Sequence, residues 1–346
     1  MHYLIALLVM ISICILICLG TFKDHKKIAV TICVILTLFS MATALYNFYI
    51  PFMILLVLWG LYVIFEIILR LTHKIDRLRF LPFILAVLLT AGYFAYCYHV
   101  GKDVKVTRYD VDLGAELKIA QISDTHMGLF FTPEELEKAV ELINENDPDI
   151  VVITGDFVDE KTSDKTFYEA CEVLSHLKSK YGTYYITGNH DGRRIPTTKL
   201  LSELKRNNVT PLIDEAVEIG DDFVLVGRRD EDYNYEMPRR SSVKKILSLS
   251  GLASTDRKVI LLDHKPQITE YFASRNEAHI DLMISGHTHG GQIFPANLLF
   301  MATDEDPLYG LSQRGGIWFL VSSGTSSGMV PFKSAAVSEV VILNVY

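Results

Sequence analysis

Apolar positions run nearly unbroken four times in the first hundred residues, over 3–20, 28–50, 52–69 and 80–98. Each run holds at least 18 residues. Wound as a helix, such a run is about 27 Å or longer, enough for the hydrocarbon core of a bilayer. One run of this kind fits a buried soluble core, but four in succession predict an α-helical transmembrane bundle over 1–100. After a polar stretch at 101–116, expected as a linker, the period changes. Apolar segments at 117–123, 149–154 and 182–187 alternate with helical patterns near 132–146, 166–180 and 197–207. That alternation predicts a mostly parallel sheet covered by helices. The first of these helices has a complete start signal, with Thr132 as N-cap, Pro133 in the first turn and Glu135 closing a capping box. Shorter apolar runs at 222–227, 258–263, 279–285, 316–323 and 336–345 predict a β-rich second sheet, so 117–346 reads as one α/β domain.

Charge orients the apolar half. The loop after the first run carries Lys23, Lys26 and Lys27, and the loop after the third carries Arg70, Lys74, Arg77 and Arg79. The turn between the second and third runs has none. Basic loops stay cytoplasmic, so both termini face outward and the domain after residue 100 is expected to be extracytoplasmic. Tyr46, Tyr49, Tyr93, Tyr96 and Tyr98 gather at the outer ends as an interfacial belt would. The first run lacks the basic start of a secretory signal and reads as a retained helix of a cell-membrane protein. Glu66 lies one helical turn before Arg70, so an i, i+4 ion pair is expected there, not a proton relay.

The halves differ in sign. Residues 1–100 hold seven Lys and Arg against three Asp and Glu, and the remainder carries a net charge of −12. An acidic domain is a poor nucleic-acid binder, because phosphate contacts need Lys and Arg. Cys171 is the single cysteine beyond residue 100, which excludes an internal disulfide and a Cys-type zinc site there. Nothing in the pattern fixes an oligomeric state.

The chemistry collects at strand ends, where sheets of this kind place it. "SDTHMG" supplies Asp124 and His126, "TGDFVDE" supplies Asp156 and Asp159, and "TGNHDG" supplies Asn189, His190 and Asp191. "LLDHKP" adds His264, and "SGHTHGG" adds His287 and His289. Five of the seven histidines beyond residue 100 fall in these loops. Carboxylate and imidazole together suit two divalent ions of Mn, Fe or Zn, with Mn favoured. Such a pair, about 3.5–4 Å apart, activates a water and clamps the attacking and leaving oxygens of a displacement at phosphorus. A metal-stabilised binding or sensing module without turnover is the other class these residues allow.

The ordered set "DTH", "GDFVD", "GNHD", an isolated histidine and "GHTHGG" resembles the calcineurin-like metallophosphoesterases over about 117–345. The strings "LLDHKP" and "DLMISGHTHGGQIFP" are similar to a branch of membrane-associated bacterial phosphoesterases related to the UDP-2,3-diacylglucosamine pyrophosphohydrolases. The resemblance implies a four-layer α/β/β/α sandwich. It also implies Asp124, His126 and His289 as ligands of one metal, Asn189, His264 and His287 as ligands of the second, and Asp156 as the bridge. His190 would protonate the leaving group, and Asp159 would orient it.

The expected substrate is a phosphodiester or pyrophosphate of a membrane or envelope lipid. Two apolar stretches, "MGLFF" (127–131) and "FPANLLFM" (294–301), are candidates for a rim receiving its chain. The branch resemblance alternatively implies a cytoplasm-facing enzyme acting on a nucleotide-linked lipid. Lys333 is a candidate contact for substrate phosphate near the C-terminus.

Overall fold

The computed structural model describes residues 11, 13, 15, 30–35, 37, 49–72, 78, 80–231, 240–273, 278–303 and 306–346. The chain divides into two compact units, Met1–Tyr98 and His99–Tyr346. In the first, helices α1 (Tyr49–Leu71) and α2 (Leu81–Lys102, whose last turn falls in the second unit) are 23 and 22 residues long. At 1.5 Å per residue each is about 33 Å, long and apolar enough to cross a membrane. Of the four expected spans these are the third and fourth; the first two lie mostly outside the described residues. Arg70 pairs with Glu66 as the one-turn spacing predicts, through Nε at 3.0 Å. Leu55, Leu58, Tyr62 and Ala86 form a buried apolar cluster in this unit.

The second unit is built from two six-stranded sheets. The first contains β1 (Val104–Val111), β2 (Leu117–Ile122), β3 (Ile150–Ile153), β4 (Thr183–Tyr185), β5 (Val209–Pro211) and β12 (Ser338–Val345). They lie side by side in the order β1-β12-β2-β3-β4-β5. The second contains β6 (Glu215–Ile219), β7 (Phe223–Gly227), β8 (Lys258–Leu262), β9 (Leu282–Ser285), β10 (Gly310–Arg314) and β11 (Ile317–Val321), in the order β10-β11-β9-β8-β7-β6.

Helices α3 (Pro133–Asn144), α4 (Asp164–Leu174) and α5 (Thr197–Arg206) bury Leu136, Val140, Phe167 and Leu200 together with Val151, Ile153 and Ile342 of the first sheet. Helices α6 (Val243–Leu249) and α7 (Ile268–Ala273) cover the second sheet through Ile246, Ile268 and Tyr271. Between the sheets, Ile119, Val152 and Leu343 meet Leu225, Ile260 and Ile284. Each sheet is therefore buried on both faces, which explains why its strands read as continuous apolar runs. The result is the α/β/β/α sandwich.

Two expectations need correction. The stretch 101–116 is not a linker: it carries β1, paired in parallel with β12 along its whole length. And the strand at the C-terminus does not join the second sheet. β12 inserts between β1 and β2, antiparallel to β2.

β2, β3 and β4 run parallel, as do β7, β8, β9 and β11, so each sheet delivers its carboxyl ends to one edge. Gln121 ties those two edges together. Its Nε2 donates to Thr154 Oγ1 and to the carbonyl of Ser285 across the sandwich, both at 2.8 Å.

Candidate metal centre

The loops leaving β2, β3, β4, β8 and β9 converge beyond that edge, and the seven expected metal ligands, with His190 and Asp159, lie in the cluster they form. Three groups each bring ligating atoms within 4.8 Å of one another: Asp124, His126 and His289; Asp156, His264 and His287; and His126, Asp159 and His190, the first and last sharing His126. Asn189 joins the second, its Oδ1 lying 3.2 Å from His264 Nε2.

The backbone is bent sharply to achieve this. Asp124, His126, Asp156, His287 and His289 all adopt left-handed conformations, with φ of 53°, 43°, 51°, 73° and 49°. Each costs a non-glycine residue about 1–2 kcal/mol, and such strain characteristically sits at functional sites. Glycine is required where the loops touch. A Cβ on Gly286 would lie 1.9 Å from Ser123 Oγ and 2.3 Å from Asp124 Oδ2. One on Gly155, itself at φ +93°, would lie 2.6 Å from the Gly188 nitrogen and 2.7 Å from His264 Nδ1.

Hydrogen bonds outside the cluster fix which atoms face inward. His264 Nδ1 donates to the carbonyl of Thr154 at 2.8 Å, so its Nε2 faces Asn189 Oδ1 and, at 3.3 Å, Asp156 Oδ2. His126 Nδ1 donates to Asp159 Oδ2 at 3.0 Å, which turns its Nε2 toward His289 Nε2, 3.2 Å away, and Asp156 Oδ2, 3.7 Å away. His289 Nε2 lies 3.8 Å from Asp124 Oδ1. Imidazole nitrogens, carboxylate oxygens and an amide oxygen thus crowd one small volume. They become favourable neighbours around a cation, and bonds of about 2.1 Å to one ion put ligand atoms at spacings of this order. The donor set therefore fits divalent metals.

The electrostatics agree. Asp124, Asp156 and Asp159 are nearly inaccessible to solvent, and buried carboxylates need compensating positive charge. Burial by itself would raise the Asp156 carboxyl, but the facing His264, and then His126 and His190, hold it well below the usual range. Burial pulls the His264 imidazole down, yet the Asp156 carboxylate raises it to about 10. His287 goes the other way, lowered to about 4 by burial and the neighbouring His264. The pocket attracts cations at its centre and lets only some of its imidazoles take a proton.

The motifs show Asp191, Ser123 and His190 but not what each of them holds. Asp191 is fully buried and accepts from the nitrogens of Asp156, Gly188 and Val158 at 2.8, 2.8 and 3.1 Å, which fastens the β3 loop to the β4 loop. Ser123 Oγ donates to Asp124 Oδ2 at 2.5 Å, and the nitrogen of His287 donates to both oxygens of the same carboxylate. His190 Nδ1 contacts Asp159 Oδ2 at 3.1 Å and Glu160 Oε2 at 3.2 Å. Burial opposes its protonation, but the Asp159 hydrogen bond raises it to about 9.

Lys333 does not reach the site as a phosphate contact. It is fully buried, and its ammonium donates to the carbonyls of Ser323, Gly324 and Val337 at 2.6, 2.9 and 3.2 Å, which occupies all three protons.

The sequence profile described as "Calcineurin-like phosphoesterase" matches residues 117–291. The chain is 32% identical over 292 residues to a protein of Helicobacter pylori strain J99 named as an uncharacterized metallophosphoesterase, covering 79% of this chain and 75% of that one. It is 32% identical over 235 residues to the Bos taurus "transmembrane protein with metallophosphoesterase domain", covering 65% of this chain and about half, 52%, of the bovine protein. A solved dimetal phosphatase from Danio rerio covers 59% of this chain and 86% of its own at 13% identity, with a TM-score of 0.42. With the profile spanning both sheets' metal loops and relatives of this similarity, the chain belongs to the calcineurin-like phosphoesterase family, and is a metal-dependent phosphoester hydrolase joined to apolar helices.

Proposed function

We propose that this chain is a membrane-anchored phosphoesterase with a dinuclear centre, hydrolysing a phosphodiester or pyrophosphate bond of a membrane or envelope lipid. Asp124, His126 and His289 hold one metal, Asn189, His264 and His287 hold the other, and Asp156 is shared. The observation that carries this reading is the inward aim of imidazole nitrogens and carboxylates from five separate loops onto one small volume. Two divalent ions, with manganese favoured, would supply activation of a water and charge neutralisation at the transferring phosphoryl group.

The chain's own residues do the rest. Asp159 and Glu160 hold His190 Nδ1, which leaves Nε2 to give a proton to the departing oxygen. Asp159 also holds His126, so one carboxylate sets the orientation of a ligand and of the proton donor. Asp191 fixes the backbone of Asp156, and thereby the shared ligand, against the β4 loop.

A lipid substrate is supported by the segment that follows His289. Phe294, Leu298 and Met301 are 51%, 51% and 62% exposed, along helix α8 (Ala296–Thr303) and the residues leading into it. The other half of the expected rim does not take part in full. Met127 and Phe131 are core residues packed in the helix-facing layer, and Leu129 and Phe130 are half-buried.

Hydrolysis of bis-p-nitrophenyl phosphate by the full-length protein with manganese tests the reaction. Activity that His190→Ala and Asp156→Asn both abolish is expected, and a wild-type protein inert with manganese, iron and zinc alike defeats the proposal. The double change Phe294→Ser and Leu298→Ser should lower turnover of a phospholipid in mixed micelles by more than turnover of the small ester; equal losses remove the lipid. The basic loops support an orientation with the catalytic domain outside the cytoplasm, on which a cysteine placed at the exposed Lys105 should react with an impermeant maleimide on intact cells. Labelling that appears only after lysis reverses that orientation.

A further inference from the structure

Two stretches of the second unit, 286–303 and 315–332, contain no Asp, Glu, Lys or Arg, although residues 101–346 carry a net charge of −12. The fold lays them side by side. Gln292 Nε2 donates to the carbonyls of Val330 and Phe332 at 2.6 and 3.1 Å. The Gln292 carbonyl accepts from the nitrogens of Ser334 and Ala335 at 2.9 and 3.2 Å. Beyond this seam Phe294 and Leu298 stand exposed on one stretch, and Met329, at 60%, on the other.

The last turn of α2, which belongs to the second unit from His99 onward, is packed against the same loop. A Cβ on Gly101 would lie 2.9 Å from Ser327 Oγ and 3.2 Å from the Pro331 carbonyl oxygen. The Gly101 carbonyl accepts from Ser338 Oγ at 2.7 Å. Lys102 donates to the carbonyl of Phe130 at 2.5 Å and to Glu135 Oε1 at 2.8 Å. Met329 stands two residues from Ser327 and two from Pro331, so it lies on the loop that meets the end of the helix.

The helix itself marks the level of the membrane surface. Tyr96 and Tyr98 are exposed near its end, where aromatic side chains settle among the headgroups of a bilayer. Gly101 is three residues past Tyr98, about 5 Å along the axis. A helix that crosses the membrane therefore delivers the 327–331 loop to headgroup level. Uncharged apolar surface held at that level gains by burial in the boundary between headgroups and acyl chains.

We propose that the face formed by Met329, Phe294 and Leu298 seats the second unit on the leaflet from which α2 emerges, and that its occupant is the bilayer itself. The inference rests on the membrane-anchor reading above and adds the depth at which the centre works. A Cβ on Gly328 would lie 2.7 Å from His289 Nε2, so the residue next to Met329 touches a proposed metal ligand. The His289 side of the centre then stands just above the headgroups, and a lipid phosphate is met there without the lipid leaving the membrane.

Tryptophan quenching tests this on full-length protein in nanodiscs of phospholipid brominated on the acyl chain near the headgroup. The chain has two tryptophans, Trp59 and Trp318. In Trp318→Phe, the remaining Trp59, near the middle of α1, reports whether the helices sit in the bilayer. With both replaced by Phe, Met329→Trp and Leu298→Trp should each lose roughly half of their emission, as rings placed about 5–10 Å into the boundary region would. Leu249→Trp, at a 75% exposed position ending α6, should keep its emission. Met329→Trp quenched no more than Leu249→Trp overturns the assignment. Blue-shifted emission from Met329→Trp that bromine does not quench also overturns it, because a second copy or another protein then covers the face. An unquenched Trp59 is a different result: it defeats the anchor reading itself, and this inference with it. No arm depends on turnover, so loss of hydrolase activity cannot be mistaken for loss of seating.

Discussion

The half of the centre around His264 and the half around His126 are held by different means. His264 is anchored on a backbone carbonyl at the end of β3, an atom that no side-chain change removes. His126 is anchored on the Asp159 carboxylate, which also holds His190. In the His126 half, moreover, His289 Nδ1 is buried without a hydrogen-bond partner, and its ring is positioned by packing, with the Gly324 backbone close against Nδ1 and Gly328 against Nε2. One half is thus part of the sheet framework. The other depends on side chains and on a turn, and it shares a carboxylate with the proton donor. Metal occupancy should be more fragile in the second of these, and its loss should be coupled to loss of proton transfer.

The largest break in that comparison is expected at Lys333. Its ammonium ties the Ser323–Gly324 turn to Val337 and lies in the field of the buried Glu339. Lys333→Met leaves three buried carbonyls without their donor, a loss of about 3–5 kcal/mol. A melting temperature lower by roughly 6–20 °C is expected for a domain of this size. In the protein that stays folded, metal analysis should show less than two ions per chain, with the shortfall on the His289 side.

Asp159→Asn comes next. The amide no longer favours the charged partner on either histidine, so turnover of bis-p-nitrophenyl phosphate should fall about 10–100-fold, the range found when a carboxylate behind a metal-bound histidine is removed. Metal content should fall along with turnover. A drop in turnover with both ions fully retained would show that the two roles of Asp159 are separable, contrary to the comparison.

Ser123→Ala should have the smallest effect. Asp124 loses one donor but keeps the two contacts from the His287 nitrogen, and manganese affinity should weaken by about tenfold or less. Titration of apo protein by calorimetry reads this directly, and a larger loss would mean that the hydroxyl, not the backbone, sets the carboxylate's position.

The same contrast separates what the sequence makes legible from what it hides. Periodicity locates β2, β3, β8 and β9 because both faces of these strands are buried, and the Thr132–Glu135 capping box marks the start of α3 to the residue. The seven proposed metal ligands and His190 are visible because each stands in a loop just past an apolar strand run. β1 reads as a linker because it is an edge strand, with Lys105, Arg108 and Asp110 turned to solvent. β12 is an evident strand, but its apolar run does not encode whether its neighbour is β2 or β11. Nor does spacing tell whether a lysine near a phosphate site meets phosphate or backbone carbonyls. Lys333 meets the latter, and Asp191, similarly, spends its carboxylate on three main-chain nitrogens.

The left-handed backbone at Asp124, Asp156 and His287 has a practical consequence for capturing this enzyme with its substrate. Silencing these positions with valine or isoleucine would pit a branched side chain against the turn itself, so the protein would fail before the chemistry did. Asparagine tolerates that geometry better than other side-chain-bearing residues and keeps an oxygen in place. Asp124→Asn and Asp156→Asn are accordingly the quiet variants to choose when an intact complex is wanted for crystallography.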